Sequence, residues 1–235
     1  MAKKTKTSEI SNDMFICACE KSRLGDYCKP ITQMEYTQDE LIKIFDFYLS
    51  RALTIKNNGT KGSEFGLRAL KELGWAGNAK LSSLERKLLQ SAGIQRFVIM
   101  ISSSIDATIK NMDLDGNICT KCPRAVLKLD CKFELLEDGS IKKETSETRM
   151  ECLFRHIRNS IAHGHTYYFP NNETLLLEDC DLDSRITARI LLKKSTLLDW
   201  IGIIDEEQAK TPISTEEKSC TEIEEECVPE AKIAG

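Results

Sequence analysis

Between Met150 and Ile161 the apolar residues Met150, Leu153, Phe154, Ile157 and Ile161 recur at intervals of three and four, and the run ends before Gly164. That spacing puts one apolar stripe on a helix, which must bury it against other elements. Arg158, Asn159 and His163 lie off the stripe and need a separate account. If Gly164 ends the helix in a left-handed cap, His163 sits in the last turn, where the negative pole of the helix favours a protonated imidazole. Arg158 and His163 stand about 140° and about 7.5 Å apart on an ideal helix. One helix cannot easily close both around one phosphate, whereas a second copy of the same helix would bring the missing partner.

Composition narrows what such a helix can serve. With 41% hydrophobic residues in 235, the chain has material for a sizeable core. Its 33 basic and 37 acidic residues give a net charge of -4, so no overall field draws it to nucleic acid and any RNA contact must be a local patch. The basic start Met1–Lys6 is not followed by the apolar stretch of a secretory signal, and no window reaches the length of a membrane helix. A cytoplasmic location with no membrane partner is the expectation.

Along the chain, residues 1–34 lack periodicity and are expected to form an irregular arm on the body. The spacing predicts helices over 38–56, 63–73, 81–91 and, most strongly apolar, 94–110, where Ile94, Phe97, Val98, Ile101, Ile105 and Ile109 recur at three and four. Residues 111–147 are polar and read as an insertion carrying a short helix at 121–129. After the helix at 145–163, Thr166–Phe169, Thr174–Glu178 and Thr187–Leu192 have strand-like composition, separated by turns, and a final helix begins after Ser195 or Thr196. From Glu206 the chain turns acidic, so 207–235 is expected to be a mobile tail. The expected fold is mainly all-α: a helical bundle at 35–206 with a small antiparallel β appendage.

Ten cysteines raise the question of metal. Cys119-x-x-Cys122 has zinc-ligand spacing, Cys131 lies nearby, and Cys17, Cys19 and Cys28 would have to complete a site through space. Structural zinc is a candidate on these six residues, against unlinked thiols as the simpler alternative. The acidic stretches at Asp113–Asn117 and Asp179–Asp183 lack the glutamate that closes a calcium loop, since position twelve after Asp179 is Ile190. Gly-rich phosphate loops, nucleophile elbows and His-Glu-x-x-His helices are not found in the sequence.

Arg158, Asn159 and His163 match the Arg-Asn-x-x-x-His form of a motif, and with it this chain resembles the HEPN superfamily, helical domains of prokaryotic toxin, defence and RNA-processing proteins. The likeness runs through Tyr167-Tyr168-Phe169, Leu175–Asp179, Ile186–Ile190 and Leu197–Ile201, covers about residues 148–205, and is similar to a plasmid-associated branch. It implies a HEPN-like bundle, a homodimer, and an endoribonuclease that uses the RNA's own 2′-hydroxyl and requires no metal cofactor. In that chemistry His163 exchanges a proton near neutral pH, Arg158 stabilises phosphoryl charge, and Asn159 orients His163 or contacts the phosphate. Secondary substrate contacts would come from His156, His165, Tyr167, Tyr168, Lys193 and Lys194. An antitoxin or another defence protein is the further partner implied. The competing expectation is a noncatalytic dimerisation or binding module in which the same polar residues merely finish a helix.

Overall fold

Leu175-Leu176-Leu177 and Ile190-Leu191-Leu192 are continuous apolar runs, which suit strands covered on both faces. In the computed structural model, which describes residues 21–26, 29–51, 54–57, 63–66, 75, 77–101, 104–135, 141–145 and 147–210, these two runs lie side by side within a five-stranded sheet. Its order is β4 (Arg96–Met100), β6 (Arg124–Lys128), β11 (Ile186–Lys193), β10 (Thr174–Cys180) and β9 (Thr166–Phe169). β4 and β6 are parallel, with Val98 opposite Val126. The other neighbours are antiparallel: Ile190 stands opposite Ala125 on one side and Leu177 on the other, and Leu177 stands opposite Thr166. Separate two-stranded ribbons pair β1 (Lys21–Arg23) with β5 (Asn117–Cys119), β2 (Thr54–Asn57) with β3 (Ser63–Gly66), and β7 (Cys131–Leu135) with β8 (Ile141–Thr145).

Alternate residues of the sheet feed two cores. Ala125, Leu127, Leu175, Leu177, Ala188, Ile190 and Leu192 meet a helical layer made of α1 (Gln38–Phe45, continued by a π-helical turn over Asp46–Arg51), α2 (Asn78–Ser91), α4 (Arg149–Ala162) and α5 (Thr196–Lys210). Val126, Leu176, Leu191 and Phe169 meet α3 (Asp106–Asn111) through Ile109 and its flanking residues Ile105 and Met112. Phe154 of α4 anchors the helical side, with its ring 6.1 Å from Phe47, 6.0 Å from Tyr48 and 6.5 Å from Trp200. The polar tips buried there are satisfied: Tyr48 donates to the Leu197 carbonyl at 2.9 Å and Trp200 Nε1 to the Leu88 carbonyl at 2.9 Å.

The expected all-α bundle is thereby corrected to a mixed α/β fold. The strands foreseen at 166–192 are no appendage, because with β4 and β6 they form the layer on which the helices pack. Residues 94–110 divide into β4 and α3. A short apolar run such as Phe97–Ile101 does not reveal its period, and its β-branched Val98, Ile99 and Ile101 favour a strand. That strand sends Phe97 and Ile99 to the helical core and Val98 and Met100 to the other. Residues 121–129, expected as a short helix, contribute β6, so the polar stretch around them supplies a strand between β4 and β11. The first helix is described as far as Arg51, and residues 54–57 and 63–66 are strands rather than helix. Residues 207–210 complete α5. Expectations for residues 1–20, 67–74 and 211–235 lie outside the described residues. Among the described residues no helix is long and apolar enough to cross a membrane.

Candidate functional site

Both ends of α4 are chemically closed, which makes it a fixed platform. At its start the Glu151 N–H donates to Thr148 Oγ1 at 3.2 Å while the Thr148 N–H donates to Glu151 Oε2 at 2.6 Å, a reciprocal capping box. At its end Gly164 has φ +70°, the Gly164 N–H donates to the Ile161 carbonyl at 3.2 Å and the His165 N–H to the Ser160 carbonyl at 2.9 Å. This is the Schellman arrangement, so the left-handed glycine cap expected from the sequence is present. His163 is the C-cap residue and is exposed, as is His165, and their rings are 6.1 Å apart. The His165 carbonyl then accepts from the Glu178 N–H at 3.0 Å, tying the turn to β10.

A polar cluster lies beneath this turn, between α4 and the sheet. His156 is fully buried, with Nδ1 2.7 Å from Asp179 Oδ2 and Nε2 2.8 Å from the Lys128 carbonyl. Arg155 NH2 lies 3.3 Å from the same Nε2. Asn159 Nδ2 donates to the same Asp179 oxygen at 3.2 Å, and Arg158 NH1 donates to Asn159 Oδ1 at 3.2 Å. Arg155 grips Glu147 with two bonds of 2.8 and 2.6 Å, reaches the Lys128 carbonyl at 3.2 Å, and has NH1 3.9 Å from Asp179 Oδ2. Burial opposes the Arg155 charge, yet the Glu147 carboxylate holds the guanidinium above its ordinary pKa. Burial, reinforced by Glu147, pushes the Cys152 thiol up, which keeps it protonated and inert.

The fold treats the sequence-derived candidates differently. Arg158 and Asn159 are half-buried and joined to each other, with His163 at the exposed end of the same helix. His156 is removed from any substrate role by its burial, and serves as a support residue. Tyr168 is buried in the helical core and donates to Glu35 at 3.4 Å, so its ring does not lie open for base stacking, while Tyr167 is half-buried and donates to Glu178 at 3.2 Å. Lys193 pairs with Thr174, at the end of β10 opposite Asp179, about 17 Å away at strand rise. Lys194 is tied to the 35–36 segment, donating to the Glu35 carbonyl at 2.7 Å and lying over the Tyr36 ring.

Cys119 is buried, and Cys122 and Cys131 are half-buried. The described residues contain no group of three or more metal-ligating side chains. Cys17, Cys19 and Cys28 lie outside the described residues. Sequence reasoning misses Glu147, Arg155 and Asp179. His156 and Asn159, three apart, are neighbours on one side of α4, but at about 100° per residue Asn159 stands roughly opposite the apolar stripe, so periodicity carries no signal that it joins this cluster. No family model, curated protein or solved structure matches this chain.

Proposed function

We propose that the C-terminal turn of α4 is a site for metal-independent cleavage of RNA, made whole when a homodimer brings two copies of the turn together. One observation carries the reading: Arg158 is held by Asn159, Asn159 by buried Asp179, and His163 is exposed at the rigid cap of the same helix. A fixed cation and an accessible imidazole, set side by side when two copies of the turn meet, are what in-line transfer to the 2′-oxygen requires. The 2′-oxygen bonds to phosphorus as the bond to the 5′-oxygen breaks, leaving a 2′,3′-cyclic phosphate and a 5′-hydroxyl. One imidazole takes the 2′-hydroxyl proton and another, from the partner's turn, protonates the leaving oxygen. Arg158 stabilises the charge gathering on the phosphoryl oxygens. The Arg-Asn-x-x-x-His resemblance supports this chemistry through the motif turn alone, since the mainly helical architecture that accompanies it is not the one found.

A second reading is favoured by the bonds of Asn159, whose amide is engaged by Arg158 and Asp179. On that reading the motif locks a helix end within a noncatalytic dimerising or binding module whose partner is RNA, an antitoxin or another defence protein. Incubating purified protein with single-stranded RNA and with transfer RNA in excess chelator, followed by end analysis, separates the two. Cyclic phosphate ends that vanish in Arg158→Ala and His163→Ala support the nuclease. An intact wild-type protein that cleaves neither RNA removes it in favour of the module.

A further inference from the structure

Asp179 is held through its backbone carbonyl and through one carboxylate oxygen, Oδ2, while its buried Oδ1 has no hydrogen-bond partner among the described residues. The pairing of β10 with β11 shifts register between Asp179 and Cys180, where Asp179 faces Ala188 and Cys180 faces Ile186, leaving Thr187 as the extra residue of a bulge. Thr187 Oγ1 donates to the Asp179 carbonyl at 3.1 Å and so fixes the backbone at that point. Bulges of this kind re-aim a side chain at the edge of a ladder. The carboxylate is 3% exposed and receives His156 and Asn159 on one oxygen, while His156 is held from behind by the Lys128 carbonyl.

Asn159 can stand in this chain in only one way. A carboxylate accepts hydrogen bonds and a guanidinium donates them, so the Asn159 amide must turn its nitrogen to Asp179 and its oxygen to Arg158. The reverse orientation would set oxygen against oxygen and nitrogen against nitrogen. Asp179 thus dictates the orientation of Asn159, and Asn159 presents a fixed acceptor to Arg158 NH1.

We infer that Asp179 is the positioning residue of the α4 turn: buried between His156 and Asn159, it sets the Arg158 guanidinium for phosphate without touching substrate. Its functional consequence rests on the RNA-site reading, whereas the positioning stands by itself. The Asp179→Asn variant keeps the shape and removes the obligate acceptor, so the Asn159 amide is free to turn over. In 15N-labelled protein the Asn159 side-chain amide and Arg158 Nε–H resonances should both move. RNA cleavage should fall in kcat by up to about 100-fold, as for misplacement of a reacting group by about an ångström, with KM changed far less. A loss of folded protein alone would scale the rate without altering either resonance.

Asp179→Asn that folds with the Arg158 and Asn159 resonances at their wild-type positions overturns the inference. Should Asp179→Asn not fold, Asn159→Ala carries the test, because it deletes the connector and leaves the His156–Asp179 pair in place. An unmoved Arg158 resonance there is equally fatal. If wild-type protein cleaves no RNA, the nuclease reading falls while the resonances still decide the positioning.

Discussion

On the α3 side of the sheet, Arg124 and Arg189 are buried at 0% and 5% exposure, and their guanidinium groups close upon the protein itself. Arg124 donates to the carbonyls of Met112, Asp113, Cys119 and Cys122, and Arg189 to the Leu114 carbonyl, Asp115 and Glu178. On the α4 side, Arg155, His156 and Asn159 converge on Glu147, Asp179 and one carbonyl, and one further bond leads outward to half-buried Arg158. The first network is a lock on the 112–122 loop. The second leads outward to half-buried Arg158, and on the proposed reading that connection serves more than the holding of a loop.

The comparison is broken most directly at Arg124. Arg124→Ala leaves four carbonyls, two buried and two part-buried, without that donor and opens a void, and should destabilise the fold by about 3–5 kcal/mol in urea titration. A loss under about 1 kcal/mol would mean the 112–122 loop is held by other means. Arg158→Ala and His163→Ala should show the opposite signature. Each should reduce RNA cleavage by about 100-fold or more, equivalent to about 2.7 kcal/mol of transition-state stabilisation, and shift unfolding stability by no more than about 0.5 kcal/mol. Cleavage that survives both changes would make the outward bond to Arg158 a structural detail only.

Gly164→Ala sharpens the contrast between the platform and the chemistry it carries. No heavy atom lies within 4 Å of a Cβ built at Gly164, so only the φ of +70° opposes the methyl group. A left-handed alanine costs about 1–2 kcal/mol, to be read as a lower thermal midpoint, and rigid placement of His163 should suffer with it. Wild-type stability would show that the cap is not needed. The smallest effect is expected at the β10–β11 turn. There the Arg185 and Asp183 N–H groups and the Arg185 guanidinium hold the Asp181 carboxyl below its ordinary range. A lowered folded value stabilises the protein above the ordinary carboxylate pKa, and that contribution is lost as pH falls through the lowered value. Asp181→Asn should therefore be slightly less stable than wild type at neutral pH and indistinguishable from it in strong acid. An equal difference at both pH values would contradict this assignment.

What the sequence determined was local. Met150 to Ile161 at helical spacing, Thr148 with Glu151, and Gly164 after His163 specify α4 and both of its ends, because capping and amphipathicity are decided within a few residues. The segments later found as β9, β10 and β11 were legible for the same reason, through β-branched and aromatic composition between turn residues. Tertiary structure decided the remainder. Phe97–Ile101 carries no period that separates a buried helix from a buried strand, and the choice fell to the parallel ladder with β6, whose partners lie 28 residues away in Arg96↔Arg124. Nor could spacing along α4 reveal that His156 and Asn159 share an oxygen of Asp179, 23 and 20 residues further on. Hydrogen bonds over such separations depend on which face of the sheet the helix covers, and that follows from burying both apolar surfaces at once.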